Sequence, residues 1–332
     1  MRYKTAHNHV SPDSRDSETP QRPSTALSTL LEVSSVDNLM ARYQAQVTEG
    51  RRPGDRWQGY NGVVPLGYTD DSELVSINIG PDRTYGGDGL HGAIGGSDYA
   101  YDTAALIATA LRANNAPQTL HVVYADPGDY GRGRVPIGLG DTEFRGIDAR
   151  DRFAVWLEGE LHRRWEAAVN GGAHDIADLR ELTRANLDAE VFPHILVVAV
   201  DSPGDDEYSR TSQRWNDMLR KLVQTGRALD MFLLLVCPYG RRLEHRKLWP
   251  NISYRVAVKG MGGFDSFSGF DDLLADQGHH LHSPQTPDDT AVLGIGSSRP
   301  STRFSRLPLE TKLFETVSEA RWQTNLRALN DN

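Results

Sequence analysis

The chain has 332 residues, 38% of them hydrophobic and 24% charged, room for about two ordinary domains or one α/β domain with extensions. Lys and Arg number 36 against 45 Asp and Glu, and the net charge of −9 gives the whole chain no electrostatic pull toward nucleic acid. One cysteine, Cys237, excludes an internal disulfide and a cysteine-built metal site, and no run nears the roughly 18 apolar residues of a membrane helix.

Residues 1–24 are polar, rich in Pro and Ser, and read as a disordered tail. Their start lacks the apolar run of a signal peptide, so the chain reads as soluble and cytoplasmic. In residues 25–58, Leu27, Leu30, Leu31, Val33, Val36, Leu39 and Met40 predict one or two small helices. The Pro/Gly-punctuated stretch from Glu49 to Asp55 reads as a linker.

From 59 to 309 short apolar strands alternate with helices, the pattern of an α/β domain. Predicted strands are Val63–Gly67, Glu73–Ile79, Gly92–Gly95, Leu120–Ala125, His194–Val200, Met231–Cys237, Ile252–Val258 and Ala291–Ile295. Two of them, HILVVAV and MFLLLV, are apolar on both faces, as central parallel strands between helical layers are. One helix carries Phe153, Trp156, Leu157, Leu161 and Trp165 at helical spacing, with Gly171-Gly172 as its stop. A second carries Ile176, Leu179, Leu182 and Leu187, and a third Trp215, Met218, Leu219, Leu222 and Val223 ahead of Gly226. Residues 310–332 predict a final amphipathic helix with Leu313, Phe314, Val317, Trp322 and Leu326. It either caps the chain's own sheet or docks in a groove of a neighbour.

The segment with most chemical content is HGAIGGSDYAYDTAALIATAL, residues 91–111: a strand, a Gly-rich turn, then a helix. That is the setting in which G-x-x-x-x-G-K-[ST] cradles phosphates. Without gaps, Gly96 takes the first glycine and Thr103 the final Ser/Thr, but Tyr101 takes the second glycine and Asp102 the lysine. An aspartate replaces attraction for β- and γ-phosphate by repulsion, and at ~4 Å and an effective dielectric of ~20 each unit pair is worth about 4 kcal/mol. The Tyr101 ring is expected to fill the cradle itself. On these residues alone, an ordinary strand–turn–helix that never held a nucleotide stands beside a degenerate phosphate loop.

Other segments resemble the FtsK/SpoIIIE-type ATPase modules of EccC, the motor protein of type VII (ESX) secretion, in that family's order from about Val64 to Leu309. Val64-Pro-Leu-Gly resembles the strand that opens such a module, and His91-Gly92 the H-G before its phosphate loop. Val122–Gly128 resembles the strand ending in D-F-K-G-G, with Asp126 at the aspartate. Gly159-Glu-Leu-His-Arg-Arg resembles G-E-x-x-R-R, and Asp178–Thr183 the segment near R-D-Y. Thr225-Gly-Arg-Ala-Leu with Met231–Cys237 resembles G-R-S-L and its following strand, and Asn251–Val258 resembles N-x-S-Y-R-I-x-L. His279–Pro284 stands where a Y-H-L-P-like loop belongs.

The resemblance implies a RecA-like P-loop NTPase fold, with a mostly parallel central sheet and helices on both faces. It makes His194–Asp201 a Walker-B strand whose Asp201 would help hold Mg²⁺, with Ser202 where the family has the glutamate that polarises water. A hydroxyl without an acceptor is no general base near neutral pH. The end of the Met231–Cys237 strand reads Cys237-Pro238 in place of a γ-phosphate sensor. Asp102 and Ser202 are thus degenerate catalytic positions, and Gly96, Tyr101, Asp102, Thr103 and Asp201 form a nucleotide-binding relic. Arg227 and Arg255 stand where the family has arginines, either as trans-acting fingers or as ordinary salt-bridge cations.

The implied function is a pseudo-ATPase module that scaffolds or regulates type VII secretion components or binds their helical substrates, with no cofactor. ATP and Mg²⁺ belong to the alternative, an ATPase with a non-standard loop. Self-association or a ring with other ATPase modules is implied too, at the inner face of the membrane through partners. His279, His280 and His282 with Asp276 lack a second cluster to complete a metal site, so no metal is expected. The basic Arg241–Lys247 segment reads as a solvated face rather than a DNA contact, and Asp288-Asp289 as a solvated loop.

Overall fold

Strands that are apolar at every position can only be satisfied between two helical layers, and the centre of this molecule is built that way. The computed structural model describes residues 25–49, 59–80, 87–129, 131–184, 186, 190, 192–201, 210–238, 248–259, 281, 286–296 and 301–330. In chain order the elements are α1 (Leu27–Leu30), α2 (Val36–Glu49), β1 (Val63–Tyr68), β2 (Leu74–Asn78), β3 (Gly92–Gly96) and α3 (Tyr99–Asn114). They continue with β4 (Leu120–Asp126), β5 (Thr142–Arg145), α4 (Ala149–Asn170), α5 (Ile176–Thr183), β6 (His194–Val200) and α6 (Arg210–Leu229). The last are β7 (Met231–Pro238), β8 (Tyr254–Val258), β9 (Thr290–Ile295), β10 (Thr302–Arg306) and α7 (Thr311–Asn330).

The ten strands form one sheet in the order β2-β1-β10-β9-β8-β3-β7-β6-β4-β5. From β8 to β5 neighbours run parallel; from β8 back to β2 they run antiparallel. Strand alternation sends Leu196, Val198, Phe232 and Leu234 to one face and Val197, Ala199, Leu233 and Leu235 to the other. The first face is covered by α3, with α1, α2 and α7 packed in the same core. The second is covered by α4 and α6, which pack on each other through Phe153, Leu157, Trp215 and Leu219.

Each predicted strand is present, and two more were not foreseen: β5 and β10, which carry one buried apolar residue apiece, Phe144 and Phe304. The Gly171-Gly172 stop holds, since α4 ends at Asn170. Gly226 does not stop α6, which runs on to Leu229 and turns at Asp230 with φ 60°. The final helix caps its own core: Leu313 and Val317 are buried, while Trp322 and Leu326 are exposed. The expected tail 1–24, the 50–55 part of the linker, Ser202, Arg241–Lys247, Asp276 and His279, His280 and His282 lie outside the described residues.

A buried clamp joins the flanking helices to the sheet. Arg321 of α7 grips Asp141 with two hydrogen bonds, Nε to Oδ1 at 2.9 Å and Nη2 to Oδ2 at 2.7 Å. Its Nη1 also donates to Asn115 O at 2.8 Å and its Nη2 to Leu120 O at 2.6 Å. Asp141 in turn accepts from the Val122 N–H at 2.8 Å and pairs with Arg112, while Tyr43 Oη–H of α2 donates to Arg112 O at 2.6 Å. Burial alone would raise the Asp141 pKa, but Arg321 and Arg112 outweigh it and hold it at about 2.

Candidate functional site

Parallel strands place their following loops on one edge, so β3, β4, β6 and β7 deliver the Gly-rich turn, Gly128, Asp201 and Pro238 to the same side. β7 lies between β3 and β6. The candidate site is the first turn of α3 at that edge.

Only Ser97 and Asp98 separate β3 from α3. A phosphate cradle needs four residues between Gly96 and position 101, and here α3 has already taken up two of them. Gly96 has φ 145°, and a Cβ on it would stand 2.4 Å from Val258 Cγ2, so the glycine serves close passage past the end of β8. Ser97 is tied to the same strand end: its Oγ–H donates to Lys259 O at 2.7 Å and its N–H to that oxygen at 3.3 Å. The Ala100 and Tyr101 N–H groups donate to Ser97 O and Asp98 O at 2.9 and 3.0 Å. Amides that a cradle would turn toward phosphate are consumed within the turn.

Tyr101 does not fill a cradle. It is 2% exposed and part of the apolar core under α3, because the early helix start rotates position 101 to the inner face. Asp102 faces outward and is half-buried. Its Oδ2 lies 3.4 Å from Arg134 Nη1, while Arg134 Nη2 lies 3.3 Å from Asp98 Oδ2. Burial pushes the Asp102 carboxyl above its ordinary value, and Arg134 and Arg306 pull it back only in part. Thr103 Oγ1–H donates to Tyr99 O at 2.8 Å and the oxygen accepts from Arg306 Nη1 at 3.2 Å. A hydroxyl facing a guanidinium is no place for Mg²⁺. These residues do not fit the phosphates of a bound ATP·Mg²⁺.

Asp201 follows β6, half-exposed, with its N–H donating to Val236 O at 2.8 Å. Beside it the Cys237 thiol is pushed up by burial and by the Asp201 charge, so it stays a thiol. Arg227 is exposed near the end of α6, which leads directly into β7 and therefore lies at the opposite edge of the sheet. Arg255 is half-buried on β8, its guanidinium 6.0 Å from the Trp249 ring centre.

Several residues of the sequence pattern prove to be structural. Gly92 passes under Tyr254, whose ring a Cβ would meet at 1.9 Å, so the H-G and N-x-S-Y-R segments are two halves of one packing contact. Asp126 is fully buried and organises its turn, accepting from Tyr124 Oη–H at 3.1 Å and Gly131 N–H at 2.8 Å. Arg164, beside Glu160, donates to Leu229 O at 2.9 Å and Pro193 O at 2.6 Å, and Arg180 binds Phe192 O and Asp230.

Sequence reasoning missed Arg134 and Arg306, which come from the β4–β5 connection and the end of β10 with no local pattern to mark them. Asp288 is exposed, as a solvated loop residue is, and there it pairs with Lys259 at 2.6 Å and with the Tyr99 hydroxyl. Among the described residues no cluster of three His, Cys, Asp or Glu could hold a metal, and no helix is long and apolar enough to cross a membrane.

No family model and no curated protein matches the chain. Solved structures do. The cytoplasmic domain of the Thermomonospora curvata type VII secretion ATPase EccC superposes with TM-score 0.69 at 19% identity, over 90% of this chain and 34% of that one. The pCW3 conjugation coupling protein TcpA gives 0.57 at 16%, over 78% of this chain and 70% of that one. EssC ATPases 2 and 3 from Geobacillus thermodenitrificans give 0.53 at 14%, over 82% and 50%. The class this defines is the α/β fold of P-loop ATPases, with a mostly parallel sheet between helices. The structures it is similar to within that class include the EccC and EssC ATPase modules and the coupling protein TcpA, and the chain spans about a third of the EccC domain it matches.

Proposed function

We propose that this chain is a catalytically inactive module of the EccC type, which scaffolds or regulates type VII secretion components, or binds their helical substrates, without turning over ATP. The observation that supports it best is Asp102 at the lysine position, ion-paired to Arg134 together with Asp98. Repulsion replaces the lysine's attraction, and the turn is too short to wrap a phosphate. The folds of EccC and EssC supply the secretion context, and partners would hold the module at the inner face of the membrane. Asp201 and Thr103 persist and favour a second reading, an ATPase with an unorthodox loop.

Thermal unfolding with and without ATP·Mg²⁺ separates the two. A ligand at about 100 times its Kd adds about 2.7 kcal/mol, which a chain of this size registers as a rise of several degrees. The inactive reading expects no rise and no phosphate release. A clear rise with millimolar ATP refutes it and favours the enzyme. Salt-sensitive retention of DNA by the purified chain would instead point to translocation, which the charge of −9 disfavours.

A further inference from the structure

The misfit of the phosphate loop has an internal logic. A helix N-terminus attracts negative charge, and two cations from distant elements reach the first turn of α3. Arg134, from the β4–β5 connection, spans Asp98 and Asp102 at 3.3 and 3.4 Å. Arg306, closing β10, reaches Thr103 Oγ1 at 3.2 Å and adds to the field at Asp102. Both guanidiniums stand against the Tyr99 ring, 5.9 and 5.0 Å from its centre. Beside them opens a cavity of about 840 Å³ whose wall includes Asp102, Arg134, Arg306, Ile137, Leu307 and Phe314. Arg306 Nε is buried there without a hydrogen-bond partner among the described residues. Two cations, a helix N-terminus and an adjoining void are what an oxyanion site requires, and the chain's own carboxylates take the oxyanion's place.

We propose that Asp98 and Asp102 are built-in substitutes for bound phosphates: without a ligand they clasp Arg134, beside the Arg306 that bonds Thr103, and removing them uncovers a latent site for an inorganic oxyanion. The carboxylate pairs tie the β4–β5 connection, and the Arg306–Thr103 bond ties the end of β10, to the first turn of α3 whatever the nucleotide supply. This rests on the reading of the module as one that does not bind ATP. The side chains of Asp98, Asp102 and Arg134 are 41%, 32% and 43% exposed, so the ion pairs add little stability and their removal leaves the fold intact.

The test is the double variant Asp98→Asn with Asp102→Asn, titrated with pyrophosphate at ionic strength matched by chloride. Saturable binding at least tenfold tighter than in the unaltered chain is expected, and adding Arg134→Ala with Arg306→Ala must abolish it. No gain, or a gain that survives loss of both arginines, overturns the proposal. Should the double variant not fold, hydrogen exchange decides in the chain carrying only Arg134→Ala and Arg306→Ala. Amides of 131–135, 137, 307, 309 and 310 must then exchange at least tenfold faster, and unchanged exchange sinks the clasp. Binding of ATP·Mg²⁺ by the unaltered chain refutes the inactive-module reading, whereas silence in both chains refutes only the clasp.

Discussion

At the scale of residues, the loop's departures separate into one that concerns packing and one that concerns charge. Restoring a glycine at 101 deletes a ring that is 2% exposed, so Tyr101→Gly is expected to destabilise by about 4 kcal/mol or more through cavity and helix-propensity terms. Urea unfolding measures this, and a loss under about 1 kcal/mol would show that the ring does not pack as described. Asp102 behaves in the opposite sense. Its folded pKa is raised above the unfolded value of 3.8, so the folded state holds the proton longer and the group's contribution declines as pH climbs through the raised value. Asp102→Asn should therefore lose no stability at pH 7 and should lack that decline, as melts across pH 3–7 would reveal. The identities at 101 and 102 were legible in the sequence, but the direction of the ring was not. It depends on α3 starting at Tyr99, with only two residues between it and Gly96, and turn length leaves no mark on a motif.

At the scale of elements, long strands were legible because every position is apolar, as in β6 and β7. β5 and β10 were not, since TEFR and TRFSR each offer one apolar residue and no alternation to count. The end of α6 was misread for a different reason. Gly226 looks like a stop, yet it admits the helix close to Met231 O, 2.3 Å from where a Cβ would sit. The turn falls to Asp230, a left-handed non-glycine residue held by Arg180 and by His194 Nδ1 at 2.7 Å. The clamp around Asp141 joins four elements and is the place to test such buried pairing. Asp141 is held at about 2 when folded against 3.8 unfolded, so its contribution is complete above pH 4 and fades as pH falls to 2. Arg321→Met leaves a buried, half-compensated carboxylate, with an expected cost of about 3–5 kcal/mol. In that variant the folded Asp141 pKa rises toward its unfolded value, so stability falls less between pH 4 and pH 2 than in the unaltered chain, and a profile of unchanged shape would refute the clamp.

At the scale of the whole molecule, the sequence pattern marked 59–309 as a motor-sized unit with α1, α2 and α7 as flanks and a mostly parallel sheet, while the strand order β8-β3-β7-β6-β4-β5 has no basis in spacing and emerges only from the fold. The packing binds flanks and unit into one core: Leu27, Leu39 and Tyr43 from one end and Leu313, Phe314 and Val317 from the other lie with Leu106, Leu111 and Val122. A chain ending at Glu310 would expose those contacts and strip Arg321 from Asp141, which stays buried against Arg112 alone. Both losses act on the face that covers β4, so they cannot be confined to a peripheral helix. We expect the full chain to melt in a single calorimetric transition, and the shortened chain to melt on the order of 10 °C lower or not to fold. A shortened chain with an unchanged transition would mean that α7 is an appendage. The outward side of α7 gives the complementary control: Trp322 is 60% exposed and Leu329 76%, so replacing both by Ser should leave the transition unmoved.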